Sequence, residues 1–199
     1  MTPLSKQILA VAGGLPEGAT LSAKALLHLG QRAAVDQALA RLTRRGRLLR
    51  VARGLYVRPV ETRFGARAPS VEKVVESLGR ALGETVVSHG SAAANRLGLT
   101  TQVPVRPVYL TSGPSRRLQL GRQTVELRHA RPWQLVEPHS AAGETVRALE
   151  WLGREHAGAA ARTLKARLKP AELSALAATR TGLPTWLAQS VSETVRAYG

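Results

Sequence analysis

Apolar residues recur at helical spacing from the start of the chain. Ile8, Leu9 and Ala12 follow Ser5, a residue able to cap a helix, and Gly13-Gly14-Leu15-Pro16 closes the segment. Ser22 predicts a second, short helix over 23–29, with Leu26, Leu27 and Leu29 apolar, and Gly30 supplies a tight turn after it. Val35, Ala38, Leu39 and Leu42 then share one face at spacings of three and four, which predicts a helix over 31–45 that ends at Gly46. The next stretch changes period. Two β-prone runs, 47–52 and 55–57, flank Arg53-Gly54 and predict a hairpin with Arg53 at its tip. Three helices followed by such a hairpin predict a winged helix-turn-helix over residues 1–60.

Residues 58–69 hold two prolines, a glycine and little periodicity, so 61–69 is expected to be a linker. A second domain, 70–199, is expected to open with a helix capped by Ser70, whose stripe is Val71, Val74, Val75, Leu78 and Leu82. A short strand over 84–88 leads into an Ala-rich helix stopped at Gly98. Three β-like runs follow, 105–111, 117–120 and 123–129, separated by Ser112-Gly113-Pro114 and Gly121-Arg122. Helical spacing resumes over 143–156, with two or three further helices through Val195. The expected fold class is α+β: an N-terminal winged helix-turn-helix, then an α+β domain with a C-terminal helical region.

Charge changes this picture from a fold to a candidate partner. The 199 residues carry 29 Lys and Arg against 13 Asp and Glu, a net charge of +16, which favours polyanions. Residues 1–60 hold ten basic groups and two acids, more than twice the charge density of the remainder. The run from Arg41 to Arg58 has seven arginines and no acid, and such a run repels itself unless phosphates neutralise it. On the helix over 31–45, the face opposite the apolar stripe carries Ala33, Gln37, Ala40, Arg41 and Arg44, with Arg32 near its start. Small residues allow close approach to a groove, while Gln and Arg can reach base edges. The expected contacts to double-stranded DNA are therefore Arg32, Gln37, Arg41, Arg44, Arg45, Arg47, Arg50 and Arg53. Arg116, Arg117, Arg122 and Arg128 form a possible second basic surface, open as a second nucleic-acid contact, a docking face for an acidic partner or RNA, or a solvated sheet face.

Candidate catalytic chemistry is sparse. There is no cysteine, which excludes disulfides, thiol nucleophiles and Cys-based zinc sites. Asp36 is the single aspartate, and Glu126-Leu127-Arg128 lacks both the lysine and the upstream acid of a restriction-type nuclease site. The five histidines have no metal-ligand spacing, and His89-Gly90-Ser91 has no evident orienting acid. No phosphate-binding glycine loop occurs, and the aromatic residues are too scattered for an RNA stacking platform. Neither a membrane span nor a secretory signal is evident. The expectation is a cytoplasmic, non-enzymatic protein without metal or cofactor.

The run from Val35 to Val57, with Ala38-Leu39-Ala40-Arg41-Leu42 and Arg53-Gly54-Leu55-Tyr56, resembles the winged helix of AbiEi-type antitoxins. Val87-Ser88-His89-Gly90-Ser91-Ala92-Ala93, Tyr109-Leu110-Thr111-Ser112-Gly113 and Val125-Glu126-Leu127-Arg128 before Arg131-Pro132 are also similar to that family. The resemblance covers roughly residues 5–135. It implies a type IV toxin–antitoxin, or abortive-infection, system in which the winged helix binds repeats in its own promoter. The C-terminal domain would counter a nucleotidyltransferase-like toxin. The alternatives are a winged-helix regulator with no toxin partner and a metal-dependent nuclease.

Overall fold

A computed structural model describes residues 3–196. The fold is α+β, and the chain divides into two compact units, residues 1–84 with 116–126 and residues 85–115 with 127–199.

The first unit opens with α1 (Leu4–Gly13), β1 (Thr20–Ser22) and a 3-10 turn (Lys24–Leu26), followed by α2 (Arg32–Arg44). The segment expected to be a helix over 23–29 is therefore a single tight turn. Ser22 sits at the end of a strand, and its Oγ accepts from the Lys24 N–H at 3.2 Å without opening an α-helix. Next come β2 (Leu49–Ala52) and β3 (Leu55–Val57), joined by Arg53-Gly54 with Gly54 at φ 72°. β3 is the central strand of an antiparallel sheet ordered β1-β3-β2. Ile8, Leu26, Val35, Leu39, Leu48 and Tyr56 meet beneath it in one buried cluster, so α2 is held by the stripe its sequence spacing announces.

Residues 61–69, expected as a linker, contain structure. β4 (Val60–Thr62) and β5 (Gly65–Arg67) form an antiparallel hairpin of their own. α3 (Val71–Leu82) then buries Val74, Val75 and Leu78, and it lies in the first unit. Ser70 occupies its N-cap position but makes no side-chain cap; its hydroxyl donates to Glu72 at 2.7 Å. The unit also receives β8 (Arg116–Leu120), which lies alongside β2, and the first half of β9 (Gln123–His129).

The second unit begins with β6 (Val86–Ser88), α4 (Gly90–Arg96) and β7 (Val108–Thr111). β6 and β7 pair antiparallel, Val87 opposite Leu110, and the second half of β9 continues into this unit. A helical region follows: α5 (Ala141–Leu152), α6 (Arg154–Arg167), α7 (Pro170–Ala178) and α8 (Thr185–Arg196), packed around Val146, Leu149, Leu164, Leu176, Leu187 and Val191. The one helix expected over 143–156 is two. Gly153, at φ 78° and ψ 169°, breaks it in a conformation that residues with a Cβ rarely adopt. No helix among the described residues is long and apolar enough to cross a membrane.

Candidate nucleic-acid interface

The exposed face of α2 is wide because only Val35, Ala38, Leu39 and Leu42 are buried. Its remaining positions order themselves by helical angle into three strips. Ala33, Gln37, Ala40 and Arg44 form the middle, opposite the core. On the flank toward the hairpin, Arg32, Asp36 and Ala40 line an open cleft of about 510 Å³ together with Arg50, Arg53, Gly54 and Tyr56. On the other flank, Arg41 and Arg45 line a cleft of about 300 Å³ with Pro3, Leu4 and Ser5 at the start of α1.

The arginines around this helix differ in what holds them. Arg41, Arg44, Arg45, Arg47, Arg50 and Arg53 are exposed, and none takes part in an ion pair among the described residues. Arg32 is different: its Nε donates to the Asp36 carboxylate at 2.8 Å, one helical turn on. The one acid of α2 thus neutralises part of the hairpin-side flank. Gln37 is exposed in the middle strip. The α2–hairpin region therefore brings together all eight residues singled out from the sequence, distributed over two clefts, a helix face and the turn after α2.

The hairpin owes its shape to local chemistry. Leu49 pairs with Val57, Arg50 with Tyr56 and Ala52 with Leu55, so the register shifts at Val51. Such a bulge sharpens the local twist. It leaves Val51 buried and both Arg50 and Arg53 exposed.

The second basic cluster is less uniform. Arg116 is forked onto Glu84, with Nη1–Oε1 at 2.9 Å and Nη2–Oε2 at 2.5 Å, and both side chains are largely buried. A bidentate pair of this kind fixes Arg116 as a tie between β8 and the end of α3. Arg117 and Arg122, in the same unit, are exposed, as is Arg128 in the second unit.

The second unit holds polar networks that the sequence does not announce. His89 is the N-cap of α4, and its Nδ1 accepts from the Ser91 N–H at 3.3 Å. Arg96 reaches the Ser88 hydroxyl and donates to Glu144 at 2.6 Å. Arg147 is 1% exposed and donates to the carbonyls of Pro138 at 3.2 Å and Gln134 at 3.5 Å. Burial pushes its pKa down to about 10, with the Glu144 carboxylate opposing that shift and Arg96 adding to it. Its Nε has no hydrogen-bond partner among the described residues. Among the described residues no group of three His, Asp or Glu is placed to hold a metal ion.

An α+β protein with a helix-and-hairpin surface of unpaired arginines is the class these features define. The chain belongs to a family of unknown function, DUF6088, whose model matches residues 7–178. No curated protein matches it. Among solved structures it is similar to the RV2827C protein from Mycobacterium tuberculosis, with 17% sequence identity and a TM-score of 0.52 over 98% of this chain and 77% of that one. At that identity the likeness is one of fold.

Proposed function

We propose that the first unit is a winged helix-turn-helix that binds double-stranded DNA, with α2 as the recognition helix and the β2–β3 hairpin as the wing. The observation that carries this reading is the set of six exposed arginines, on α2, the turn after it and the hairpin, that form no ion pair among the described residues. Uncompensated guanidinium groups so close together repel, and a phosphate backbone relieves that repulsion while releasing counterions. Arginine also suits forked contacts to phosphate and guanine. Binding of the full chain to duplex DNA, followed by fluorescence anisotropy across a salt series, tests the reading. Expected is an affinity that falls linearly on a log–log plot against salt. In the variant with Arg41, Arg50 and Arg53 all changed to Ala, the slope should flatten by about three units. No duplex binding at low salt overturns it.

The resemblance to AbiEi-type antitoxins supports a more specific context: repression of the protein's own operon, non-enzymatic opposition to a nucleotidyltransferase-like toxin, and a cytoplasmic site of action. The adjacent reading frame discriminates this from a plain regulator, since only the antitoxin requires a toxin gene there. With the toxin driven from an unrelated promoter, the variant with Arg41 and Arg44 both changed to Ala should lose operator binding yet still protect cells. Loss of protection in a folded variant would make rescue dependent on nucleic-acid binding and end the proposed division of labour.

A further inference from the structure

The β4–β5 hairpin contributes almost nothing to a core, and this makes its presence informative. Val60 pairs with Arg67, Glu61 with Ala66 and Thr62 with Gly65, which leaves Arg63 and Phe64 as a two-residue tip. Every residue from Glu61 to Arg67 is exposed. A two-stranded ribbon that buries no face has little stability of its own in water. This one is held at its ends and at its turn. Pro59 and Pro69 are buried on either side of it, and Arg67 reaches back to Glu17 at 3.5 Å. At the turn, Thr62 donates its hydroxyl to the Gly65 carbonyl at 2.7 Å and accepts from the Phe64 N–H at 3.2 Å.

What this ribbon presents is the chain's single phenylalanine, 86% exposed, with the Arg63 guanidinium stacked 4.6 Å from the ring centroid. A lone exposed apolar residue needs no explanation, but an aromatic ring held by a built turn and paired with a cation is a different case. The stack positions Arg63 beside the ring's face, so the tip offers an apolar wedge and a positive charge together. Arg58, Arg63 and Arg67 against Glu61 leave the segment 58–67 positive.

We propose that Arg63 and Phe64 form a wedge that enters the DNA minor groove, with Phe64 pressing between base pairs and Arg63 following the groove. This rests on the reading of the first unit as a duplex-binding module. Apolar side chains on extended elements partly unstack a base step in this way and kink the duplex toward its major groove, most readily at flexible pyrimidine–purine steps. The charge of the tip suits that polyanion. It does not suit a second copy of a chain with net charge +16.

The full-length protein is titrated into an end-labelled 30-base-pair duplex, with 2-aminopurine beside a central TA step and bending followed by energy transfer between the ends. Wild type is expected to bend the duplex and brighten the 2-aminopurine. Phe64→Ala should lose both signals and about ten-fold in affinity with an unchanged salt slope, whereas Phe64→Trp retains them. Arg63→Ala should flatten the slope by about one unit. Equal binding and bending by wild type and Phe64→Ala overturns the wedge while leaving duplex binding by α2 intact. Failure of wild type to bind any duplex at low salt instead removes the underlying reading, and the wedge with it. A change in sedimenting mass for Phe64→Ala without DNA assigns the ring to a contact between copies and also overturns the proposal.

Discussion

The Glu17 carboxylate accepts from the Lys73 ammonium at 2.5 Å, and its other oxygen accepts from the Ser70 N–H at 3.2 Å, so the loop after α1 is tied to the first turn of α3. Gly18 completes the approach: a Cβ there would stand 2.5 Å from that of Lys73. The Thr20 N–H donates to Ser77 one turn further along, at 2.9 Å. α3 thereby joins the unit that carries α2 and the β2–β3 hairpin, although more than fifty residues of chain separate the partners.

This tie gives a pH dependence. The hydrogen bond from Lys73, then that from Ser70, hold the Glu17 carboxyl below its ordinary value of 4.5. A carboxylate whose pKa is depressed on folding contributes stability above its unfolded pKa and loses it as pH falls through the folded one. Glu17→Gln should therefore melt below wild type at pH 7, and the gap should close as pH drops under about 4.5. A gap in Tm that is constant from pH 7 to pH 3 would show that Glu17 acts only by shape.

The same contacts bear on dissection of the chain. A fragment of residues 1–60 leaves Glu17, Gly18 and Thr20 without α3, so it should unfold with a broader and lower transition than a fragment of residues 1–84. Identical melting curves for the two would place the folding boundary at residue 60 after all.

How far the sequence revealed this arrangement depends on the range of the interactions. α2 was legible because four apolar residues at spacings of three and four define a face by themselves, and the β2–β3 hairpin because Arg53-Gly54 sits between β-prone runs. The hairpin within 61–69 is not legible in the sequence because its strands are three residues long and all but Val60 are exposed, so no alternation marks them. A lone Phe between Arg63 and Gly65 was the available signal. Residues 23–29 carried helical spacing, but β1 consumes Ser22 as a strand end and shortens the helix to one 3-10 turn. Arg116 counted toward a basic surface because its partner, Glu84, lies 32 residues away in sequence.

Arg147 supports a prediction in the second unit. Its charge is costly where it lies, so its contribution comes through the Pro138 and Gln134 carbonyls and through the packed stem. Arg147→Ala should lose about 3 kcal/mol, because it opens a cavity and orphans both carbonyls. Arg147→Met, which keeps most of the volume, should lose about half as much by urea denaturation. Equal losses would assign the effect to the guanidinium alone.

Asp36 is the acid that moderates the α2 surface. Replacing it by Asn removes a negative charge from the cleft and releases Arg32, so Asp36→Asn should tighten duplex binding by several-fold and steepen its salt dependence by about one unit. Unchanged affinity would mean that this flank of α2 faces solvent in the complex.

If the first unit binds duplex DNA as proposed, residues that would read bases are separable from those that would hold phosphate. Arg44 and Gln37 occupy the middle strip of α2 with Ala33 and Ala40, where small neighbours permit close approach to base edges. Arg41 and Arg45 stand on the flank beside the start of α1, and Arg53 at the hairpin tip, positions suited to the sugar–phosphate backbone. Arg44→Ala should then cost about 1–3 kcal/mol on a preferred duplex and much less on a scrambled one. Arg41→Ala and Arg53→Ala should weaken both duplexes alike, each lowering the salt slope by about one unit. The comparison needs only relative affinities, so it can be run on a duplex selected from a random pool. If Arg41→Ala abolishes discrimination and Arg44→Ala does not, the helix enters the groove by its α1-side flank. α2 would then be rolled about its axis by roughly 60°, the helical angle between those two positions.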